Sequence, residues 1–380
     1  MLDPVRQEVI ALAHTVVVKV GTNVLTSIDG RIDPARLQAL ADQIHRIRQG
    51  DRKVVLVSSG AIGAGIGRLG LGKRPTDLRH LQGCAAIGQS QLMRAYQECF
   101  DCHGTHTAQI LLTAGDFDSR SRYLNVRNTI LTLFEWDVLP IINENDTVSV
   151  AEIRFGDNDH LAAMVTNLLR APLLVLLTTV DGLFAGDPQS GATAAKLDTV
   201  PAIDAHILSM AGASKTTLGT GGMHSKLRAA RLATMAGESV IIANGSVPGI
   251  LDSLFASEPL GTLFLPHGTS LPAWKRWLGF TARPKGKLTL DPGAVAAVCK
   301  KGRSLLPIGV VQVQGDFSKG DVVTLCDAAG SEFARGLTNY SSADAKRVLG
   351  LRTEQIAELF GTLPYEEIVH RDNLVVIGAS

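Results

Sequence analysis

The stretch Thr15-Val16-Val17-Val18-Lys19-Val20-Gly21-Thr22-Asn23 decides the fold class. A short β-branched run bounded by a glycine turn reads as a buried strand, and a lysine stands at its end, just before a turn whose backbone N–H groups are free. Similar runs recur outward from it at Val54 to Val57, Ile110 to Leu112, Val138 to Ile142, Leu173 to Leu177 and Val240 to Ile242, with helical patterns between them. One such helix is opened by Asp33-Pro34 and ends near Gly50; another opens at Met223 and ends near Gly237. This alternation, from Thr15 to about Leu265, predicts an α/β domain built on a mainly parallel open sheet sandwiched by helices. Sheets of that kind bind ligands beyond the carboxyl ends of their strands.

Past Leu265 the pattern changes. Pro266 to Pro272 reads as a linker, followed by short strands with Gly315-Asp316 and Gly320-Asp321 turns and brief helices near Pro292 to Val298 and Ser342 to Leu349. The expected organisation is a first domain over residues 1–265, a linker over 266–273 and a small β-rich domain over 274–380.

Composition narrows the partners. The chain of 380 residues is 45% hydrophobic, with 37 Lys plus Arg against 36 Asp plus Glu, a formal net charge of +1. That balance gives no whole-chain electrostatic case for nucleic acid or anionic membrane, so a small molecule is the default partner. Met1 to His14 holds Asp3, Arg6 and Glu8 and lacks an apolar signal core, and no run reaches the roughly 18 apolar residues of a membrane helix. The expected location is the cytoplasm. Five cysteines without regular spacing read as reduced thiols rather than a disulfide framework.

Several strings imitate known motifs. Cys99-Phe100-Asp101-Cys102-His103 matches a haem-attachment string, yet it ends an amphipathic helix in a chain without an export signal, so neither haem nor a metal is expected there. Gly65-Ile66-Gly67-Arg68-Leu69-Gly70 fits GxGxxG but does not directly follow a strand, and it is expected to be a flexible, helix-breaking loop. Gly67 to Lys73 imitates a phosphate loop, but Arg74 stands where a hydroxyl would bind Mg2+.

The chemistry gathers elsewhere. Ile142-Asn143-Glu144-Asn145-Asp146 and Gly156-Asp157-Asn158-Asp159 set four carboxylates and three amides beside apolar runs. One of these residues serves as an ordinary helix cap before Leu161 to Leu169; the other acids need a further explanation, such as a metal, a cationic amino group or a lysine. Val57-Ser58-Ser59-Gly60-Ala61 brings a hydroxyl and a helix N-terminus, and Gly219 to Lys226 a bare backbone loop with a lysine in the following first turn. Taken singly, Lys19 and Lys226 are ordinary solvated or snorkelling lysines. Together the two lysines, the free amide donors and the acid cluster suit a nucleoside triphosphate and an anionic acceptor.

Lys19-Val20-Gly21-Thr22, Val57 to Ala61, Ile142 to Asp146, Phe155 to Asp159 and Gly219 to Lys226, in this order, resemble the amino acid kinase family, and within it the branch acting on free L-glutamate. The likeness continues through Gly261-Thr262-Leu263-Phe264 and Lys275-Arg276-Trp277. Gly302 to Pro307 and Gly315 to Gly320 are similar to the PUA domain. The resemblance implies a phosphotransferase that uses ATP, with Mg2+ bound to the nucleotide, to phosphorylate the side-chain carboxylate of L-glutamate and so open proline biosynthesis. Proline as inhibitor and a homo-oligomeric assembly follow from the same likeness. It further implies Lys19 and Lys226 on phosphates, Asp159 holding the lysines, and Ser59, Asp146 and Asn158 on glutamate. Thr178, Thr179, Thr220, Gly221, Gly222, Met223, His224, Ser225 and Lys226 would line the nucleotide pocket, and no protein metal ligand is implied. Where the family often shows Thr-Asp, this chain has Thr178-Thr179 followed by Val180-Asp181-Gly182. The alternatives are an acetylglutamate or aspartate kinase, or an RNA-binding PUA protein. For the last, residues 274–380 offer 14 Lys plus Arg and 11 Asp plus Glu, an excess of only +3.

Overall fold

The computed structural model describes residues 3–27, 31–148, 158–185, 195–210, 222–267, 273–351, 355–356 and 366–377. The chain divides into two compact units, residues 1–270 and 271–380.

In the first unit the expected strands form: β1 (Thr15–Val20), β2 (Lys53–Ser58), β3 (Thr107–Leu112), β4 (Leu139–Glu144), β5 (Leu173–Thr178) and β7 (Ser239–Asn244). The short β6 (Thr199–Val200) and β8 (Thr262–Phe264) join them, giving among the described residues one sheet of order β3-β4-β2-β1-β5-β7-β8-β6. All neighbours from β3 to β7 are parallel, and β8 runs antiparallel to β7. Val16 to Val18, Val54 to Val57 and Leu173 to Leu176 are almost completely buried, as strands covered on both faces must be.

The covering helices are α1 (Pro4–Leu12), α2 (Thr22–Leu25), α3 (Pro34–Gln49), α4 (Ala61–Leu69), α5 (Leu78–Asp101), α6 (Ala114–Asp118), α7 (Arg120–Glu135), α8 (Asn158–Leu169), α9 (Ala205–Ser209), α10 (Met223–Met235) and α11 (Ile250–Phe255). Local rules explain their limits. Asp33 caps α3 by accepting from Ala35 N and Arg36 N, Pro34 opens it, and Gly50 ends it. Its Leu37, Leu40, Ala41, Ile44 and Ile47 recur at helical spacing and face the core.

The GxGxxG stretch is not a flexible loop: Gly65 and Gly67 lie inside α4, which stops at Gly70 with φ 66°. A β-carbon on Gly65 would collide with the Cys84 carbonyl, and one on Gly88 with the Ala61 carbonyl oxygen and the Gly65 nitrogen. The glycines therefore serve close packing of α4 on α5, a tertiary demand that local propensity does not reveal. At the start of the chain, the buried Arg6 guanidinium donates to the carbonyls of Leu260 and Asp198, each at 2.7 Å, and Gly261 at 3.3 Å.

The second unit has α12 (Ala273–Arg276), a π-turn over Trp277–Thr281, and strands β9 (Gly286–Leu290), β10 (Val310–Gly315), β11 (Val322–Cys326), β12 (Glu332–Thr338) and β13 (Val369–Val376). Among the described residues these make a sheet of order β10-β9-β11-β12-β13. The two brief helices are α13 (Pro292–Lys301) and α14 (Ser342–Arg347), and the core gathers Leu288, Leu290, Val323, Leu325 and Val369. Of the expected linker, residues 268–272 lie outside the described residues.

Candidate active site

The parallel strands at the sheet centre end at one edge, and that edge collects the polar residues. Register sets Lys19 beside Val57 and Leu176, Val20 beside Ser58, and Val57 beside Ile142. The ends of β4, β2, β1 and β5 thus deliver Asn143 and Glu144, Ser58, Lys19 and Thr178 in spatial order. Helix α4 follows β2 within three residues, while α8 and α10 start farther along the chain and reach these strand ends through Asn158, Asp159 and Lys226 of their first turns.

One cluster is ionic. Asp159, in the first turn of α8, has no exposed surface, while Lys19 and Lys226 are 4% and 5% exposed. Lys19 Nζ lies 2.6 Å from Asp159 Oδ1 and Lys226 Nζ 3.0 Å from Oδ2. The Ser225 hydroxyl donates to the same Oδ2 at 3.2 Å. Burying three charges is unfavourable unless they are paired, and here one carboxylate accepts from two ammoniums at once. The Lys19 ammonium also stands 3.8 Å from where a β-carbon on Gly21 would lie, so the first strand's charge and the glycine turn after it form one surface.

The second cluster is neutral. Asn158 Nδ2 faces the Ser58 carbonyl at 3.0 Å, Ser59 Oγ at 2.8 Å and Asn143 Oδ1 at 2.9 Å. Asn143 Oδ1 also accepts from the Glu144 N–H at 2.8 Å, and Asn143 Nδ2 donates to Gln89 Oε1 at 2.9 Å. The backbone donor of Glu144 and the backbone acceptor of Ser58 cannot reverse roles, so they fix the orientation of both amides. What remains is Asn158 Oδ1, a buried acceptor without a donor among the described residues. It calls for an N–H from a ligand.

Lys19, Asp159, Ser225 and Lys226 come together in the first cluster, Ser59 and Asn158 in the second, and the consecutive residues Asn158 and Asp159 join the two. Asp146 sits half-buried on the turn after β4. Thr178 ends β5 half-buried, with its carbonyl taking the Gly245 N–H at 2.7 Å, and Thr179 is exposed. Gly222 caps α10, Met223 is half-buried and His224 exposed in its first turn. Thr220, Gly221, Gly156 and Asp157 lie outside the described residues.

Sequence reasoning missed Gln89, a polar residue on the buried face of α5 beside Cys84, Ala85, Gly88 and Leu92. The available signal was this interruption of an apolar stripe. The haem-like string divides: Cys99 is buried, while Cys102 is exposed. His103 stacks on His45 and bonds Asp42 at 2.8 Å.

A parallel sheet whose central strand brings one buried lysine, and a neighbouring helix a second, onto one carboxylate beside an amide cluster is the architecture of an anion-handling transferase. The model of the amino acid kinase family matches residues 14–244, and that of the PUA domain residues 286–360. The chain belongs to the amino acid kinase family. It is 46% identical over 373 residues to the glutamate 5-kinase of Desulfotalea psychrophila, covering 98% of this chain and 99% of that relative. With the glutamate 5-kinase of Moorella thermoacetica it shares 45% over 366 residues, or 96% and 97% of the two chains. Among solved structures, carbamate kinase from Giardia lamblia bound to AMP-PNP covers 68% of this chain and 100% of its own, at 19% identity and a TM-score of 0.49. Among the described residues no helix is long and apolar enough to cross a membrane.

Proposed function

We propose that this protein is a cytoplasmic kinase that transfers the γ-phosphoryl group of ATP to the side-chain carboxylate of L-glutamate, the first step of proline biosynthesis. The observation that carries the reading is the Lys19–Asp159–Lys226 arrangement beside the Asn143–Asn158 cluster, supported by relatives of that name over nearly the whole chain. Those relatives also favour glutamate over acetylglutamate or aspartate as acceptor.

In this reading a glutamate carboxylate oxygen forms a bond to the γ-phosphorus as the bond to the β,γ-bridging oxygen breaks, yielding glutamyl 5-phosphate and ADP. The acceptor is already ionised at neutral pH, so no general base is needed. The task is to bring anions together and to stabilise charge on the transferred group. Lys19 and Lys226 supply that charge, and Asp159 holds both ammoniums in place. Thr178, Thr179 and the segment from Thr220 to Lys226 line the nucleotide's side. Ser59, Asp146 and Asn158 seat glutamate, with Asp146 and the open Asn158 Oδ1 facing its ammonium group. Mg2+ binds chiefly through substrate phosphates with one or two carboxylates and retained waters. The ion would arrive with the nucleotide and would supply positive charge against its phosphates.

Proline, which also joins a carboxylate to a cationic nitrogen, would compete at Asp146 and Asn158. The kinase domain in this reading is residues 1–265, joined by 266–273 to the PUA-like domain over 274–380. The deciding experiment is ADP release with L-glutamate, acetylglutamate and aspartate in parallel, with hydroxylamine trapping the acyl phosphate. Turnover with either alternative and none with glutamate would replace the assignment.

A further inference from the structure

Tyr96 lies on α5, outside every motif of the sequence, with no exposed surface, and its hydroxyl is 2.8 Å from Ser58 Oγ. Ser58 Oγ donates in turn to the Ser59 carbonyl at 3.1 Å. A serine hydroxyl has one proton, so this bond fixes the direction of the other: Tyr96 donates to Ser58, and Ser58 donates to Ser59. Burial raises the Tyr96 phenol well above its usual range, which keeps that donor protonated at every working pH.

The Ser59 carbonyl belongs to the Ser59–Gly60 peptide. In a trans peptide C=O and N–H point opposite ways, so holding the carbonyl toward the buried Ser58 hydroxyl turns the Gly60 N–H away from it. Gly60 has φ 114° and ψ −3°, a conformation few other residues adopt, and it caps α4 with no side-chain bond. Among the described residues no atom lies within 4 Å of where its β-carbon would stand, so none of them fills the space before this turn. The helix behind it cannot drift, because Gly88 of α5 leaves no room between Ala61 and the α5 backbone.

We propose that Tyr96 is a positioning residue for the acceptor: acting only through the Ser58 hydroxyl, it pins the Ser59 carbonyl inward and so aims the Gly60 N–H at a carboxylate of the bound amino acid. This rests on the functional reading above, in which the Ser59 turn seats glutamate. The relay touches neither Lys19 nor Lys226, so it governs acceptor binding and leaves nucleotide binding alone.

The test is a cycle of Tyr96→Phe, Ser58→Ala and the double variant, in the full chain, with KM for glutamate, KM for ATP and Tm measured for each. Ser58→Ala should raise the glutamate KM about tenfold, with the ATP KM within about twofold of wild type; Tyr96→Phe should do the same to a smaller degree. Because Tyr96 acts through Ser58, adding Tyr96→Phe to Ser58→Ala should leave the glutamate KM where the single variant put it. Its Tm should rise above that of Ser58→Ala, since the phenol hydroxyl is no longer stranded without a partner. A purely structural role predicts that KM recovers along with Tm, and that result overturns the relay. Multiplying KM effects, or an unchanged glutamate KM in folded variants, would overturn it too. Wild-type protein without glutamate-dependent ADP release removes the functional reading and the relay with it; normal wild-type turnover beside unaffected variants removes the relay alone.

Discussion

Lys19, at the end of the first strand, and Lys226, in the first turn of α10, meet on opposite oxygens of the Asp159 carboxylate, at 2.6 and 3.0 Å. The sheet brings one, the helix brings the other, and α8 supplies the acid between them. The carboxylate keeps two like charges close together in a buried place.

Replacing either lysine should therefore separate activity from stability. Lys19→Met or Lys226→Met is expected to lower kcat by about 100-fold or more, the scale of losing one preorganised charge, with a smaller change in KM. Stability should hold or rise, because one buried ammonium and its desolvation are removed. Asp159→Asn should do the opposite to the fold, destabilising it by about 3–5 kcal/mol in urea melts as both ammoniums lose their partner. A stable, fully active Asp159→Asn protein would refute the arrangement's role.

The neutral cluster gives a sharper substitution. Asn158→Asp changes little in shape but puts an oxygen where Nδ2 now faces Ser58 O, Ser59 Oγ and Asn143 Oδ1. Repulsion among acceptors should cost about 1–3 kcal/mol of stability and raise the glutamate KM at least about tenfold. Steady-state kinetics and thermal melts of the same sample check both parts.

Two glycines of α5 should respond in opposite directions to the same change. Gly88→Ala drives a β-carbon into the α4 backbone and should destabilise by about 1–3 kcal/mol or more. Gly83→Ala meets no atom within 4 Å on the exposed side of the same helix and should stabilise by about 0.5–1 kcal/mol. Equal Tm shifts would contradict the packing described.

His160 carries the pH prediction. Burial, with Arg228 adding to it, pushes its pKa down from 6.5 to about 4. Between those values the unfolded chain takes up a proton that the folded chain refuses, so folded stability is complete above about 6.5 and falls as pH drops toward 4. The loss is on the order of 2–3 kcal/mol by pH 4. In His160→Gln that part of the pH dependence should vanish from urea melts taken at pH 7, 5.5 and 4.5.

Much of the first unit was legible in its sequence, because buried parallel strands read as continuous β-branched or leucine-rich runs with few alternatives. The runs at Val16, Val54 and Leu173 became β1, β2 and β5 within one or two residues. The short strands β6 and β8 were not, since two or three residues carry no periodic signal. Gly65 was misread because its reason lies on another helix, at Cys84. The meeting of Lys19, Asp159 and Lys226 came from resemblance alone, for nothing local to three distant residues states that they touch. Tyr96 stayed hidden because a phenol buried on an amphipathic helix leaves the helical pattern almost unchanged, and Gln89 showed only as one polar break in its apolar stripe.

The Arg6 guanidinium has its acceptors at Asp198, Leu260 and Gly261, so the opening helix of the first unit is fastened to the segment that closes it. A chain emerging from the ribosome makes Arg6 well before Gly261, and until Gly261 is made this fastening cannot form. The order of synthesis thus keeps α1 from its final contacts until almost all of residues 1–270 has been made, and the first unit locks late, from its two ends together.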